Sequence, residues 1–481
     1  LELAKALDEN RLIEQLPTIK GICYMSKTLP EGKIKECPSY EIVKEDKKQF
    51  AEAFRIQYYE QDPFIGKTVA QLHGDRYVIQ NSPALPLTQA EMDEVYSLPF
   101  TRRWHPRYDA KGGVPALREV QFSLVSHRGC FGSCSFCAIT SHQGRIIQNR
   151  SHESLIAEAE RMIAMPDFKG YIHDVGGPTA NFRHTACEKQ GTKGACPGKN
   201  CAAPHACENL DTSHDDYLAI LRKLRKLKGV KKVFVRSGLR YDYVLEDNNR
   251  EFVKELCEHH VSGQLKVAPE HVSEAVTEIM GKADKTVFLK FKDWFETANR
   301  QLGKKQFLVP YFMSSHPGCT LADAVELAEF LRDQKMTPEQ VQDFIPTPGS
   351  LSTAMYYTGI NPLTGEAVYV AKKGRDKAMQ RALMQYKNPD NYDLVREALV
   401  KAGRTDLIGF GPLCLIPPRP IGRNKAGNQH RKQTGNQPPN RRTQGGRSGS
   451  GRSQGSKSND RGKISISKQS KRGGLAGNRR P

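Results

Sequence analysis

The stretch SHRGCFGSCSFCAIT, residues 126–140, places three cysteines at C-x3-C-x2-C spacing with glycines and a phenylalanine between them. Three thiols are an odd number for a disulfide framework and one short of the four ligands of a structural zinc site. They suit an iron–sulfur cluster better. Thiolates ligate such clusters, a four-iron cluster has four iron sites, and three cysteines leave one iron open for a substrate or cofactor. Gly129 and Gly132 allow the backbone to wrap closely around such a group, and Phe136 is placed to shield it from water. The alternatives are a partial zinc site or three unrelated buried thiols.

Working outward, the pattern of apolar residues alternates between strand and helix. It predicts strands over 119–129, 170–177, 231–238, 263–270, 305–315 and 340–348. Helices are predicted over 151–165, 214–229, 249–261, 273–281, 285–302 and 321–336, that at 214–229 with a strongly basic face. Six βα repeats imply parallel strands joined by right-handed crossovers. The expected fold is therefore α/β, a partial (β/α)6 TIM-like barrel with its chemistry at the C-terminal ends of the strands. The three cysteines fall in the first βα loop. A mixed N-terminal α/β segment (1–112) carries a predicted helix at 2–16, strands beginning at 21 and 76, and a helix then a basic-aromatic turn over 90–106. The chain starts without methionine in an apparent mid-helix, which suggests part of a truncated larger domain. The core is expected over 113–348, a small C-terminal α/β appendage over 349–416, and a disordered basic tail over 417–481.

With the loop in this context, the residues carry a resemblance. C-x3-C-x2-C with an aromatic just before the last cysteine, after the first barrel strand, resembles the radical S-adenosylmethionine (SAM) superfamily. The resemblance implies that Cys130, Cys134 and Cys137 ligate a [4Fe-4S] cluster whose open iron binds SAM. Reductive cleavage of SAM would then yield a 5′-deoxyadenosyl radical that abstracts hydrogen from a substrate. The segments VSHRGCFGSCSFCAITSHQGR, HDVGGPTANF, KVAPEH and QVQDFIPTPGSLSTAMYYTG resemble the YgiQ-type branch, which names no substrate. Relatives of that branch carry a further N-terminal part. The resemblance also implies a one-electron reductant of the flavodoxin or ferredoxin kind.

Later strand ends supply candidates for holding SAM. Gly176 and Gly177 match the superfamily's Gly-Gly motif near the SAM amino group, although Pro178 stands where an acid is common. Arg236, Ser237 and Arg240 end the third strand, placed for the SAM carboxylate or ribose. Lys266, Glu270 and His271 end the fourth and are within reach of the same pocket. His316 and Cys319 end the fifth; a helix N-terminus capped by Thr320 explains that stretch better than proton or hydrogen-atom transfer.

A second group, Cys187, Cys196, Cys201 and Cys207, lies in a Gly/Lys/Pro-rich loop after the second strand. Its spacing is not that of a zinc ribbon. Zinc or an auxiliary Fe–S cluster both fit four thiols in a polar loop, with His184 and His205 as spare ligands.

The net charge of +20 is unevenly spread: 17 Lys or Arg and one acid, Asp460, lie beyond residue 416. The remainder has the balance of an ordinary soluble enzyme. The tail suits non-specific RNA or ribosome contact but has no aromatic for base stacking. No apolar run approaches a membrane span. Twelve clustered cysteines suggest metal ligation in a reducing compartment, the cytoplasm. A non-enzymatic alternative is an RNA- or ribosome-associated Fe–S protein acting as a redox or iron sensor. Such a sensor needs neither an open iron nor the polar strand ends.

Overall fold

A computed structural model describes residues 2–10, 18–338 and 341–418 of the chain. The second half of the helix expected at 2–16 and nearly all of the basic tail lie outside the described residues. Glu2–Asp8 is helical as expected.

The N-terminal segment is a four-stranded mixed sheet in the order Cys23–Ser26, Arg76–Gln80, Thr68–His73, Ile34–Cys37. Thr68–His73 and Arg76–Gln80 form a hairpin closed by Gly74 and Asp75, and Gly74 supplies the positive φ (61°) that so tight a turn needs. The strands at 34–37 and 68–73 are short and polar, so apolar alternation did not single them out. Helix Lys47–Tyr59 starts at Asp46, whose carboxylate accepts from the Lys48 amide at 2.7 Å.

Beyond residue 120 the short strands pair in chain order. Ser123–Val125 runs parallel to Asp174–Gly176, and Tyr171–Ile172 to Lys232–Val233. Leu239 bridges Val267 in parallel. Gln264–Glu270 runs parallel to Phe307–Ser314, whose end pairs with Gln342–Asp343. The ladders are shorter than the predicted strands because each strand changes neighbour along its length. Residues 171–172 face the third strand and 174–176 the first. Among the described residues no sheet closes, so the architecture is mixed α/β with staggered parallel ladders.

Strand periodicity gives these ladders two different faces. Along Gln264–Glu270, Leu265 and Val267 are buried while Gln264 and Lys266 are exposed. The buried face packs on Phe288, Phe291 and Phe295 of helix Lys285–Gln301 and on Leu218, Leu221 and Leu224 of helix Asp215–Arg225. The basic face of helix Asp215–Arg225 is partly neutralised, with Arg222 pairing with Glu255 at 2.5 Å.

The appendage expected at 349–416 is corrected on two points. Its regular elements among the described residues are helices: Leu351–Thr358, Gly374–Met384 and Tyr392–Lys401, joined by short 3-10 turns, with single bridges in place of strands. Gly374–Met384 is built largely from Ala, Met, Leu, Gln, Lys and Arg, all strong helix formers. Nor does the segment have a core of its own. Met379, Leu383, Val395 and Leu399 pack in one cluster with Val276, Met280, Phe312 and Leu327.

Two outcomes follow from this packing. Leu383→Ala, at a fully buried position of that shared cluster, is expected to cost about 2–5 kcal/mol. Residues 120–418 should melt in one transition; separate melting of the 351–401 helices would contradict the shared core. His260 is fully buried with its ring bonded to the Val233 carbonyl at 2.8 Å, and burial lowers its pKa to about 4. Its unfolded counterpart takes up a proton near about 6.5. The stability it contributes is therefore complete above that pH and lost as pH falls towards 4, by up to roughly 3 kcal/mol. Denaturant titrations of wild type and His260→Gln between pH 7 and 4 check this, and an unchanged slope in the variant would refute it.

Candidate functional site

The three-cysteine loop leaves the first strand after Ser126. Buried Arg183 holds that departure, donating from Nη1 to the Ser126 carbonyl at 2.7 Å and from Nη2 to the Arg150 carbonyl at 3.1 Å. Gly129 follows at φ 83°, where a Cβ would overlap the Ile146 carbonyl oxygen. At Gly132 a Cβ would come within 2.7 Å of Arg240 Nη1 and 3.3 Å of Cys130 Sγ. Gly129 is thus required by a backbone contact, whereas a side chain at Gly132 would displace the Arg240 guanidinium from beside the cysteines. The Cys130 amide donates to Gly144 O at 3.0 Å, where the chain returns past the loop. The Ser135 amide donates to Met280 O at 3.0 Å, and the Ser135 carbonyl accepts from the Ser352 amide at 2.8 Å. Ser352 Oγ donates to Ser135 Oγ at 2.8 Å and pairs with buried His316 Nε2 at 2.7 Å.

Cys130, Cys134 and Cys137 therefore sit half-buried on one loop, close enough for the charges of Cys134 and Cys130 to act on Cys137. Burial raises the Cys130 thiol and pushes Cys137 up to about 11. Arg240 lies directly beside them, its Nη1 at 3.5 Å from Cys134 Sγ. Burial opposes the Arg240 charge, but Asp242, at 2.8 and 2.5 Å in a two-pronged pair, outweighs it and keeps the guanidinium ionised. Lys282, buried, acts on Cys137 from another direction. Glu270 is half-buried at φ 67°; burial raises its carboxyl while Lys282 and Arg240 pull the other way.

This donor set fits an iron–sulfur cluster. Desolvated thiols with no metal hold their protons, whereas metal ligation removes them, and two buried cations offset the resulting negative charge.

The predicted SAM residues divide. Gly176 and Gly177 lie where strands crowd: a Cβ would meet Ser237 Oγ at 2.5 Å in the first case and the His127 ring at 2.6 Å in the second. Asp174 was not foreseen. Its carboxylate takes the Arg236 amide at 2.7 Å, the Ser237 amide at 3.0 Å and the Ser237 hydroxyl. Ser237 is thus committed to Asp174, and only the Arg236 guanidinium reaches out, at 3.4 Å from Glu119. These groups line an open cavity of about 1200 Å³ on the exposed face of the ladders, with His127, Arg128, Gln264 and Lys266 beside apolar Leu117, Val120 and Ile139. Arg240 and Glu270 do not line it. His271 is turned away, buried at 3.5 Å from Cys319 Sγ, and Thr320 caps helix Leu321–Asp333 in a capping box with Asp323. An acid beside a run of strand-end residues was the available signal for Asp174; Lys282 had none, because it approaches from a turn remote in sequence.

Cys187, Cys196, Cys201 and Cys207 lie in the loop after the second strand. The Cys207 amide donates to Cys201 O at 2.9 Å, and Lys189 Nζ lies 3.5 Å from Cys196 Sγ. All four thiols are half-buried and unpaired. His184 instead bonds the Thr185 and Ser213 carbonyls at 3.0 and 2.9 Å.

A paired substitution checks the glycine argument. Gly144 shares φ 83° but has nothing within 4 Å of its Cβ position, so Gly144→Ala is expected to cost only the left-handed penalty of about 1–2 kcal/mol. Gly129→Ala should add a further ~1–3 kcal/mol from the carbonyl overlap. Equal denaturant midpoints would show that the loop is not pinned there.

Comparison with known proteins places the chain by family. Three family profiles match: "Radical SAM N-terminal" over residues 1–123, "Radical SAM superfamily" over 124–331, and a domain of unknown function over 339–480. UPF0313 proteins of Clostridium botulinum are 57% identical over 418 residues, covering 87% of this chain and 65% of theirs. One from Clostridium perfringens is 55% identical, covering 86% and 63%. The chain thus spans about 65% of the length of these relatives. Among solved structures, the radical SAM methyltransferase TsrM of Kitasatospora setae, with cobalamin and a [4Fe-4S] cluster bound, matches 69% of this chain and 71% of its own at 12% identity and a TM-score of 0.32. A second structure of TsrM, with tryptophan and a SAM analogue, gives 14% identity over 45% of this chain and 34% of its own, with a TM-score of 0.29. Scores this low carry no weight for fold or site. No helix among the described residues is long and apolar enough to cross a membrane. On the family profiles and the UPF0313 relatives, the chain belongs to the radical SAM superfamily.

Proposed function

We propose that this chain is the core of a radical SAM enzyme, built on residues 113–348 and buttressed by 1–112 and 349–416. The carrying observation is the glycine-pinned loop that presents Cys130, Cys134 and Cys137 beside Arg240 and Lys282. Superfamily membership adds the implied cofactors, a [4Fe-4S] cluster and SAM. On this reading the parallel ladders, paired in chain order, are the arc of an open six-stranded barrel, and the cavity on their exposed face receives the substrate.

When bound, the cluster would supply the single electron for reductive cleavage of the SAM S–C5′ bond, with methionine leaving and the resulting 5′-deoxyadenosyl radical taking a hydrogen atom from the substrate. The chain's own contributions are electrostatic and steric. Cys130, Cys134 and Cys137 hold the cluster. Arg240, kept charged by Asp242, and Lys282 compensate the thiolates in a place water barely reaches. Gly176 and Gly177 keep the second strand end thin beside His127 and Ser237. Asp174 fixes the Arg236–Ser237 turn, which leaves the Arg236 guanidinium at the cavity, where an anionic group such as a carboxylate would compete with its exposed partner Glu119. Glu270 ends the fourth strand, where burial favours its neutral carboxyl against the pull of Lys282 and Arg240, and would offer SAM a polar contact there.

The reductant is a one-electron donor of the flavodoxin or ferredoxin class. The sensor reading has no observation in its favour, and RNA contact through the tail has no described residue to rest on.

Anaerobically reconstituted protein, reduced with dithionite and given SAM, is expected to release 5′-deoxyadenosine detectable by mass spectrometry. Cys134→Ala should release none. Cluster-loaded wild-type protein of full natural length that neither binds nor cleaves SAM would overturn the proposal.

A further inference from the structure

We propose that residues 179–181, which follow the second strand, set the reduction potential of the cluster held by Cys130, Cys134 and Cys137. Thr179 does so by a hydrogen bond to the Cys130 sulfur, and Asn181 by holding Arg240 against the Cys134 sulfur. The inference rests on the reading of those cysteines as cluster ligands.

The segment is tied to both sides of the site. The Ala180 amide donates to the Gly238 carbonyl at 3.0 Å, at the end of the third strand. Phe182 stacks on Phe131 of the cysteine loop with ring centroids 3.7 Å apart, and both rings are fully buried. Held at these two points, Thr179 places Oγ1 3.4 Å from Cys130 Sγ. Thr179 is 7% exposed, and among the described residues its hydroxyl makes no other hydrogen bond. With a free thiol either atom could donate. A cysteine bound to iron has given up its proton, so the bond then has one direction: the threonine hydroxyl donates and the sulfur accepts.

Asn181, also buried, acts at one remove. Its Oδ1 accepts the Arg240 amide at 3.0 Å, and its Nδ2 donates to the Arg240 carbonyl at 3.3 Å. The same Nδ2 lies 3.0 Å from His214 Nε2. The direction of that bond follows from the far side of the ring, where Nδ1 is 2.8 Å from Asp247 Oδ2. A carboxylate only accepts, so Nδ1 carries the proton and Nε2 of the neutral ring is the acceptor. One orientation of the amide satisfies all three contacts; turned over, it would set N–H against N–H and oxygen against two acceptors. Arg240, gripped in this way by its backbone, donates from Nη1 towards Cys134 Sγ at 3.5 Å, while Asp242 takes its other two nitrogens. Asn181 is thus a positioning residue.

Both contacts bear on one step. A flavodoxin- or ferredoxin-like donor passes a single electron to the cluster. No bond is made or broken, and the cluster gains one negative charge. Donors aimed at its sulfurs stabilise that charge, and hydrogen bonds to sulfur are among the features that set cluster potentials. Burial strengthens each of them. Loss of either donor therefore moves the potential to a more negative value.

The test is a potentiometric titration of the whole chain, reconstituted anaerobically with iron and sulfide and followed by electron paramagnetic resonance with and without SAM. Thr179→Val keeps the shape and removes the hydroxyl. At equal iron content its midpoint should fall, with an about tenfold smaller reduced-to-oxidised ratio at a set potential, or roughly 59 mV. Thr179→Ser should restore the wild-type midpoint. Asn181→Ala should also lower the midpoint, and that shift should vanish in an Arg240→Gln background, where the Thr179→Val shift persists. The Thr179 pair decides the direct bond whatever Asn181→Ala does to folding. A Thr179→Val midpoint at or above that of wild type, or one that Thr179→Ser fails to restore, refutes that bond. An Asn181→Ala shift that survives in Arg240→Gln refutes the positioning role. Wild type without a SAM-responsive signal sinks the first-site reading and this inference with it. A SAM-responsive cluster whose midpoint ignores Thr179 sinks the inference alone.

Discussion

The loop from Gly129 to Cys137 is held mainly through its backbone, and the rest of the site depends on that. Its amides and carbonyls are met by Gly144, Met280 and Ser352, three segments far apart in sequence. Buried peptide groups must find partners, so the loop takes its shape only when those segments are in place. Met280 belongs to the cluster that also contains the helices at 374–384 and 392–401. Packing of the C-terminal helices is in this way transmitted to the position of three thiols.

The same economy runs through the electrostatics. A buried arginine is costly alone, but Arg240 shares its burial with Asp242 and turns its remaining prong towards Cys134. Asp174 performs the complementary task at the cavity, gathering two amides and a hydroxyl at one strand end. One ladder face is given to helices and the other to an open cavity lined by both polar and apolar side chains, so the same strands serve a core and a cavity.

The flanking segments are part of this arrangement. Helix Lys47–Tyr59 places Phe50 edge-on to Tyr357 at 4.9 Å, just after the serines that grip the cysteine loop. Asp62, shortly beyond that helix, anchors the second cysteine loop. Residues before 120 thereby brace both sets of thiols.

The sequence by itself determined the order of strands and helices, the three-cysteine loop and its glycines, because periodicity, turn chemistry and short-range spacing are local properties. It also showed the second set of thiols, through composition alone. Only the tertiary structure decided that residues 349–416 share the core rather than append to it, since helix formers do not say what they pack against. Likewise it turned Arg240 towards Cys134, turned His271 away to Cys319, and brought Asp174 and Lys282 into play. Charges settle against whichever partner the packed chain brings within a few ångströms, and that neighbour is set by the whole fold, not by the residues on either side.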